Sequence, residues 1–245
     1  MAARRAGLSH TTGPLPAPGG SPTRVVLLDA YGTLLRLPPP APRLRALLAA
    51  EGHEHAEARV AEAVAAEVRH YRRHHDRGRD PASLAALRRE CAGVIADELG
   101  GDAPPLDRLA ELLVDSLRWE LMPDARPALD ALAARGLQLG VVSNWDYGLP
   151  DVLAALGVAD RFAVVATSAA AGAAKPDPAI FVGALARLGA APGEALHCGD
   201  SPRFDCAGAR AAGVAAVLVD RDGREAGAPC RRIRSLTELP EVIVP

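Results

Sequence analysis

Five short stretches of the chain are apolar at consecutive rather than alternate positions. The first, Val25-Val26-Leu27-Leu28, runs straight into Asp29. The others are Gln138–Ser143, Ala163–Thr167, Ala195–Gly199 and Ala215–Asp220. A continuous run of this length suits a strand buried on both faces. Helical stretches near 148–156, 177–188 and 204–212 separate the last four runs, and a helix near 125–135 feeds the second strand. Strands alternating with helices predict an α/β fold: a doubly wound, parallel, five-stranded Rossmann-like core.

Residues 38–122 carry a different pattern. Val60, Val64, Val68 and Tyr71 share one helical face, and Leu84, Leu87, Cys91, Val94, Ile95 and Leu99 share another. Leu106, Leu109, Leu113 and Leu117 mark a third, and Leu44, Leu47 and Leu48 a shorter first helix. The block reads as a helical cap of its own. Pro38-Pro39-Pro40 and Met122-Pro123-Asp124 bracket it, and prolines there stop helices and stiffen the crossings. The expected organisation is a core from 23–37 and 123–245, a cap over 38–122, and a disordered leader, or a start placed too early, over 1–22. Residues 221–234 read as a polar loop, and 235–239 begin a short last helix.

Composition narrows the partners. Of 245 residues 49% are hydrophobic but only 3% aromatic, so the core must be built from Ala, Val and Leu. A net charge of −2 gives no pull toward nucleic acid or anionic membrane. No apolar run approaches the ~18 residues of a membrane span. Cys91, Cys198, Cys206 and Cys230 form no CxxC pair and follow no secretory signal, so reduced thiols in a cytoplasmic protein are expected, as monomer or homodimer.

The chemistry lies where the strands end, because ligands of open α/β sheets bind beyond the carboxyl edge. In Asp29-Ala30-Tyr31-Gly32-Thr33-Leu34, Gly32 permits a tight turn whose successive N–H groups can cradle an anion, with Thr33 supporting Asp29. Ser143 and Asn144 offer a hydroxyl and a neighbouring N–H at the second strand end. In Lys175-Pro176-Asp177-Pro178, Asp177 and Pro178 suit the start of a helix, which leaves Lys175 as a charge able to neutralise a carboxylate and a phosphoryl group. Gly199-Asp200-Ser201-Pro202-Arg203-Phe204-Asp205 brings two carboxylates together, hard oxygen ligands that suit magnesium (Mg²⁺). Asp200 is the expected direct ligand and Asp205 an outer or water-mediated one.

Together these four clusters, in this order and with a helical insert after the first, resemble the haloacid dehalogenase-like hydrolases. The resemblance extends from about residue 24 to 239. It implies that Asp29 attacks phosphorus and forms an aspartyl-phosphate, which water then hydrolyses. It implies Mg²⁺ held by Asp29, the backbone carbonyl of Tyr31, Asp200 and waters. Ser143, Asn144 and Lys175 would bind the phosphoryl group of a small phosphorylated metabolite, with Trp145 lining the cleft between cap and core.

One departure stands out. Phosphatases of this family usually place an acid/base Asp two residues after the nucleophile, and this chain has Tyr31. Free tyrosine titrates near about 10 and serves poorly at neutral pH. Loss of such a group costs ~10²–10⁴ in rate, so alkyl phosphates should be slow and esters with good leaving groups less affected. The string Asp-Ala-Tyr-Gly-Thr also resembles metal-free 2-haloacid dehalogenases, whose fourth motif lacks a carboxylate at the position of Asp200. A third reading is a phospholigand-binding module with little turnover. The run from His70 to Arg79 stays open between a solvated helix end, an anion patch and a metal cluster. Adjacent histidines point to different helix faces, which weighs against shared ligation.

Overall fold

The computed structural model describes residues 22–225 and 227–243. The leader expected over 1–22 falls outside them apart from Pro22. Strand β1 (Val25–Leu28) is buried at every position. Val26 and Leu28 join one apolar cluster while Val25 and Leu27 join another, so both faces of the strand are covered. That is the physical reason for the unbroken apolar run. A turn then leads into β2 (Leu35–Arg36), which pairs antiparallel with β3 (Glu120–Leu121) where the chain returns. This two-strand ribbon stands at the foot of the helical insert, and Arg36 Nε donates to Glu120 across it at 2.8 Å.

Between the ribbon strands lie α1 (Ala41–Ala50), α2 (Glu57–His74), α3 (Pro81–Glu98) and α4 (Leu106–Ser116). Leu44, Val60, Leu87, Ile95, Leu109 and Leu112 belong to an apolar cluster made only of residues from this insert. Helix α3 begins with a capping box: Asp80 accepts from Ser83 N at 2.9 Å, and the Ser83 hydroxyl accepts from Asp80 N at 3.1 Å. Each satisfies a backbone donor that the first helical turn leaves without a partner.

The remaining elements are α5 (Ala125–Ala134), β4 (Gln138–Ser143), α6 (Leu149–Ala155), β5 (Val164–Thr167), α7 (Ser168–Ala171), α8 (Ala179–Leu188), β6 (Ala195–Gly199), α9 (Ala207–Ala211), β7 (Ala215–Val219), β8 (Arg231–Ile233) and α10 (Leu239–Val242). The sheet order is β5-β4-β1-β6-β7-β8, with every pairing parallel. The chain moves outward on both sides of β1. The carboxyl end of β1, flanked by β4 and β6, is therefore the topological switch point where such sheets bind ligands.

Three expectations are corrected. The main sheet has six strands, not five: β8 lies in the stretch expected to be a polar loop. It is short, at the sheet edge, and buries only Ile233 among two arginines, so no apolar run announces it. The β2–β3 ribbon was equally unmarked, at two residues a side. Cys206 and Cys230 are not free thiols but a disulfide, with Cα atoms 6.0 Å apart. Their separation of 24 residues resembles no local motif; the loop after β7 brings them together. Cys91 and Cys198 are free and buried, and burial pushes both thiols up. Among the described residues no helix is long and apolar enough to cross a membrane.

Candidate active site

Asp29 follows β1 directly, and its N–H still donates to Cys198 O on β6 at 2.9 Å. The strand ladder thus fixes the backbone that carries this carboxylate. Asp29 Oδ1 accepts from Ser143 Oγ at 2.9 Å and from Lys175 Nζ at 2.6 Å. Oδ2 has no hydrogen-bond partner among the described residues and is left for chemistry. Ser143 is the last residue of β4, so strand order alone puts its hydroxyl next to Asp29.

Lys175 reaches the same point from the loop before α8. Its Nζ also donates to Asp205 Oδ1 at 2.6 Å, and the residue is only 4% exposed. Asn144 braces the lysine's backbone from both sides: Lys175 N donates to Asn144 Oδ1 at 2.7 Å, and Asn144 Nδ2 donates to Lys175 O at 3.0 Å. The peptide bond between Lys175 and Pro176 is cis.

Asp205 is fully engaged. Its Oδ1 accepts from Lys175 and from His197 Nε2 at 2.8 Å, and its Oδ2 accepts from Ser201 N at 2.9 Å. Asp29, Asp200 and Asp205 each offer a carboxylate oxygen, and these oxygens lie within 4.8 Å of one another. Two glycines allow the crowding. Gly32, at φ +84°, and Gly199 each stand where a Cβ would collide with a carboxylate, that of Asp200 and that of Asp205 respectively.

The electrostatics follow from this packing. Burial pushes Asp29 up, opposed by the ammonium of Lys175 and reinforced by Asp205. Burial pulls Lys175 down, but the two carboxylates beside it outweigh that and hold it above the ordinary lysine range. Burial would raise Asp205 as well, yet the charge of Lys175 and the His197 hydrogen bond hold it well below the usual carboxylate range. Asp200 is exposed to the cleft. Desolvation there, with the charges of Asp29 and Asp205 adding, pushes it up to about 7. With Asp205 committed, Asp29 and Asp200 are the hard oxygen donors, and Asp200, pushed up by desolvation and then by its like-charged neighbours, is the carboxylate a small divalent cation would relieve.

The model of the haloacid dehalogenase-like hydrolases matches residues 23–213, which carry all of these groups. The chain belongs to that family. Among curated relatives, haloacid dehalogenase-like hydrolase domain-containing protein 3 of Mus musculus is 41% identical over 47% of this chain and 46% of its own length. The phosphoserine phosphatase of Thermus thermophilus is 38% identical over 58% of this chain and 59% of its own. The matched region thus spans about half to three fifths of these two relatives. Solved structures divide between chemistries. A haloacid dehalogenase-like phosphatase from Thermococcus onnurineus superposes with a TM-score of 0.61, and a 2-haloacid dehalogenase from Pseudomonas syringae with 0.65. Both are 27% identical and cover 90% of this chain and 97% of their own.

The structure brings together Asp29, Ser143, Lys175, Asp200 and Asp205. Three other residues singled out from the sequence have surroundings it did not suggest. Thr33 is wholly buried, and its hydroxyl finds no partner among the described residues. It makes no hydrogen bond to Asp29, which it was expected to support, and the turn is held instead by backbone bonds from Leu34 and Leu35 to Ala30 O, at 2.8 Å each. Asn144 spends its side-chain amide on the backbone of Lys175. Tyr31 is 48% exposed and leans edge-on against Trp119, ring centres 6.0 Å apart. Trp119 in turn packs on Trp145 at 4.7 Å, so the three rings line one wall of the cleft.

Several contributors carried no sequence signal. His197 looks like any residue of a buried strand. Arg221 donates to Gly32 O at 2.7 Å, to Thr33 O at 3.0 Å and to Asp124 at 2.9 Å, tying the nucleophile's turn to α5. The His70–Arg79 run proves to be a junction between insert and core. Tyr71 donates to Asp146 at 2.8 Å, Tyr147 N to Gly78 O at 2.8 Å, and Ser168 Oγ bonds Asp76. Arg77 pairs with Glu90, and the His70 and His74 rings stack.

Proposed function

We propose that this protein is a Mg²⁺-dependent phosphatase acting on small phosphate monoesters through an aspartyl-phosphate on Asp29. The observation that carries this is the meeting of Asp29, Asp200 and Asp205 within 4.8 Å, with the ammonium of Lys175 bridging Asp29 and Asp205. Asp29, the Tyr31 carbonyl and Asp200 would hold the ion, and Asp205, its oxygens already committed, would stay outside and fix Lys175. Bound there, Mg²⁺ would supply charge neutralisation for the carboxylates and the phosphoryl oxygens.

The chain's own groups do the rest. Oδ2 of Asp29 attacks phosphorus in line with the ester oxygen, whose bond breaks as the new P–O bond forms. Ser143 and Lys175 hold Oδ1, so the opposite oxygen is the one aimed at substrate. Lys175 offsets the charge that builds on the phosphoryl oxygens. The departing alkoxide takes its proton from water, because Tyr31 leans onto Trp119 in place of a carboxylic acid. Water then attacks phosphorus, releasing inorganic phosphate and restoring Asp29. Phosphatase relatives such as the Thermus phosphoserine phosphatase support the monoester class. A cytoplasmic setting is part of this proposal, and the Cys206–Cys230 disulfide is the one observation that opposes it, because the cytoplasm keeps thiols reduced.

Metal-free dehalogenation is the second reading, favoured by Tyr31 and opposed by Asp200. A metal-controlled panel decides between them. Hydrolysis of p-nitrophenyl phosphate should require Mg²⁺, stop on chelation and vanish in Asp29→Asn. Halide release from a 2-haloacid without metal, with no phosphatase activity, would reverse the assignment.

A further inference from the structure

The cleft above Asp29 encloses about 800 Å³, far more than a phosphate needs. It has three levels. At the floor are Asp29, Lys175 and Asp200. In the middle stands a wall of rings, Tyr31, Trp119 and Trp145, in a chain with only 3% aromatic residues. The roof comes from the insert, where Leu87, Leu113 and Val68 face the space.

Among the charged side chains that the insert turns toward the cleft, one is buried. Glu67 lines the cleft, is only 8% exposed, and makes no ion pair among the described residues. Its side chain meets the thiol of Cys91, a weak donor. Burial pushes Glu67 up. Arg72 and Arg88 also line the cleft, but both are exposed and their charges are solvated. Glu67 lies one helical turn, about 6 Å, before Tyr71 on α2. Tyr71 is the residue that docks this helix on Asp146, so Glu67 stands a turn further from that junction. A buried carboxyl with so poor a partner costs stability unless something pairs with it.

We infer that the site takes phosphate monoesters whose alcohol part has an apolar, ring-sized middle and a hydrogen-bond donor, amine or hydroxyl, at its far end, with Glu67 reading that donor. This rests on the phosphatase reading, in which the phosphate occupies the floor. A ring between floor and roof would pack on the aromatic wall, and the donor would complete Glu67. Such a substrate also explains why the cleft is built from insert and core together, since neither lines all three levels alone.

Non-hydrolysable phosphonates test the ligand class without depending on turnover. Dissociation constants would be measured by calorimetry in Mg²⁺ buffer for methylphosphonate, 4-methylbenzylphosphonate and its 4-(hydroxymethyl) and 4-(aminomethyl) counterparts. The benzyl compound should bind about tenfold or more tighter than methylphosphonate through apolar burial. At least one donor-bearing compound should gain roughly tenfold more. In Glu67→Leu that second gain should vanish while the first stays. Equal affinity across the series, or a donor advantage that survives Glu67→Leu, overturns the inference. If Glu67→Leu does not fold, the ranking in the unaltered protein still decides. Hydrolysis of p-nitrophenyl phosphate with a flat ranking would sink this inference and keep the phosphatase; the expected ranking without hydrolysis would do the reverse.

Discussion

Asp200 shows how far a neighbourhood can move one carboxyl. In an unfolded chain an aspartate titrates near about 3.9, whereas here it is pushed up to about 7. Between those values the folded protein keeps a proton that the unfolded chain has released. This group's contribution to stability is therefore fully present below about pH 4 and is lost as pH rises toward 7. Thermal denaturation without added cation should show that loss, and Asp200→Asn should flatten it; parallel pH curves would contradict the assignment. Added Mg²⁺ should raise the melting temperature more at pH 8 than at pH 5, where the proton competes. At Tyr31 the expectation concerns rate. Tyr31→Asp places a carboxylic acid two residues after the nucleophile and should raise turnover of alkyl phosphates, by up to ~10²–10⁴. Alkyl phosphate kinetics unchanged by the substitution would mean that the missing acid is not what limits the site.

At the scale of elements, the site depends on turns that only particular residues can make. The turn after β1 carries Gly32 at φ +84°, and Arg221 satisfies the carbonyls of Gly32 and Thr33. Gly32→Ala would meet two penalties: a left-handed backbone costing about 1–2 kcal/mol, and a methyl group driven into the carboxylate of Asp200. Urea denaturation should show a loss of at least that size, and the stabilisation by Mg²⁺ should shrink with it. A variant as stable and as responsive to Mg²⁺ as the parent would mean the turn tolerates rearrangement. The turn from β6 into α9 follows the same logic, since Gly199 leaves the space that Asp205 fills.

For the whole molecule, the question is how the insert is held over the core. The Tyr71–Asp146 hydrogen bond is part of that junction, and burial pushes the Tyr71 phenol well above its ordinary range, so it stays a donor. Tyr71→Phe should cost about 0.5–1.5 kcal/mol and speed amide exchange over 70–78 and 145–148 while leaving the central strands protected. Uniform loss of protection would instead mark the bond as part of the global fold. The alternation of apolar runs with helical spacing determined the layered core and the helical insert, because burial on both faces of a strand and on one face of a helix writes a local period. The residue types at strand ends likewise marked most of the candidate site, since Asp29, Lys175 and Asp200 are charged groups at the ends of apolar runs or just before a helix. Tertiary structure alone decided that Asn144 braces Lys175, that His197 and Arg221 hold the machinery, that Cys206 meets Cys230, and that Glu67 faces the cleft. Each of those depends on contacts between distant segments, and a contact across long separations leaves no period in the chain to read.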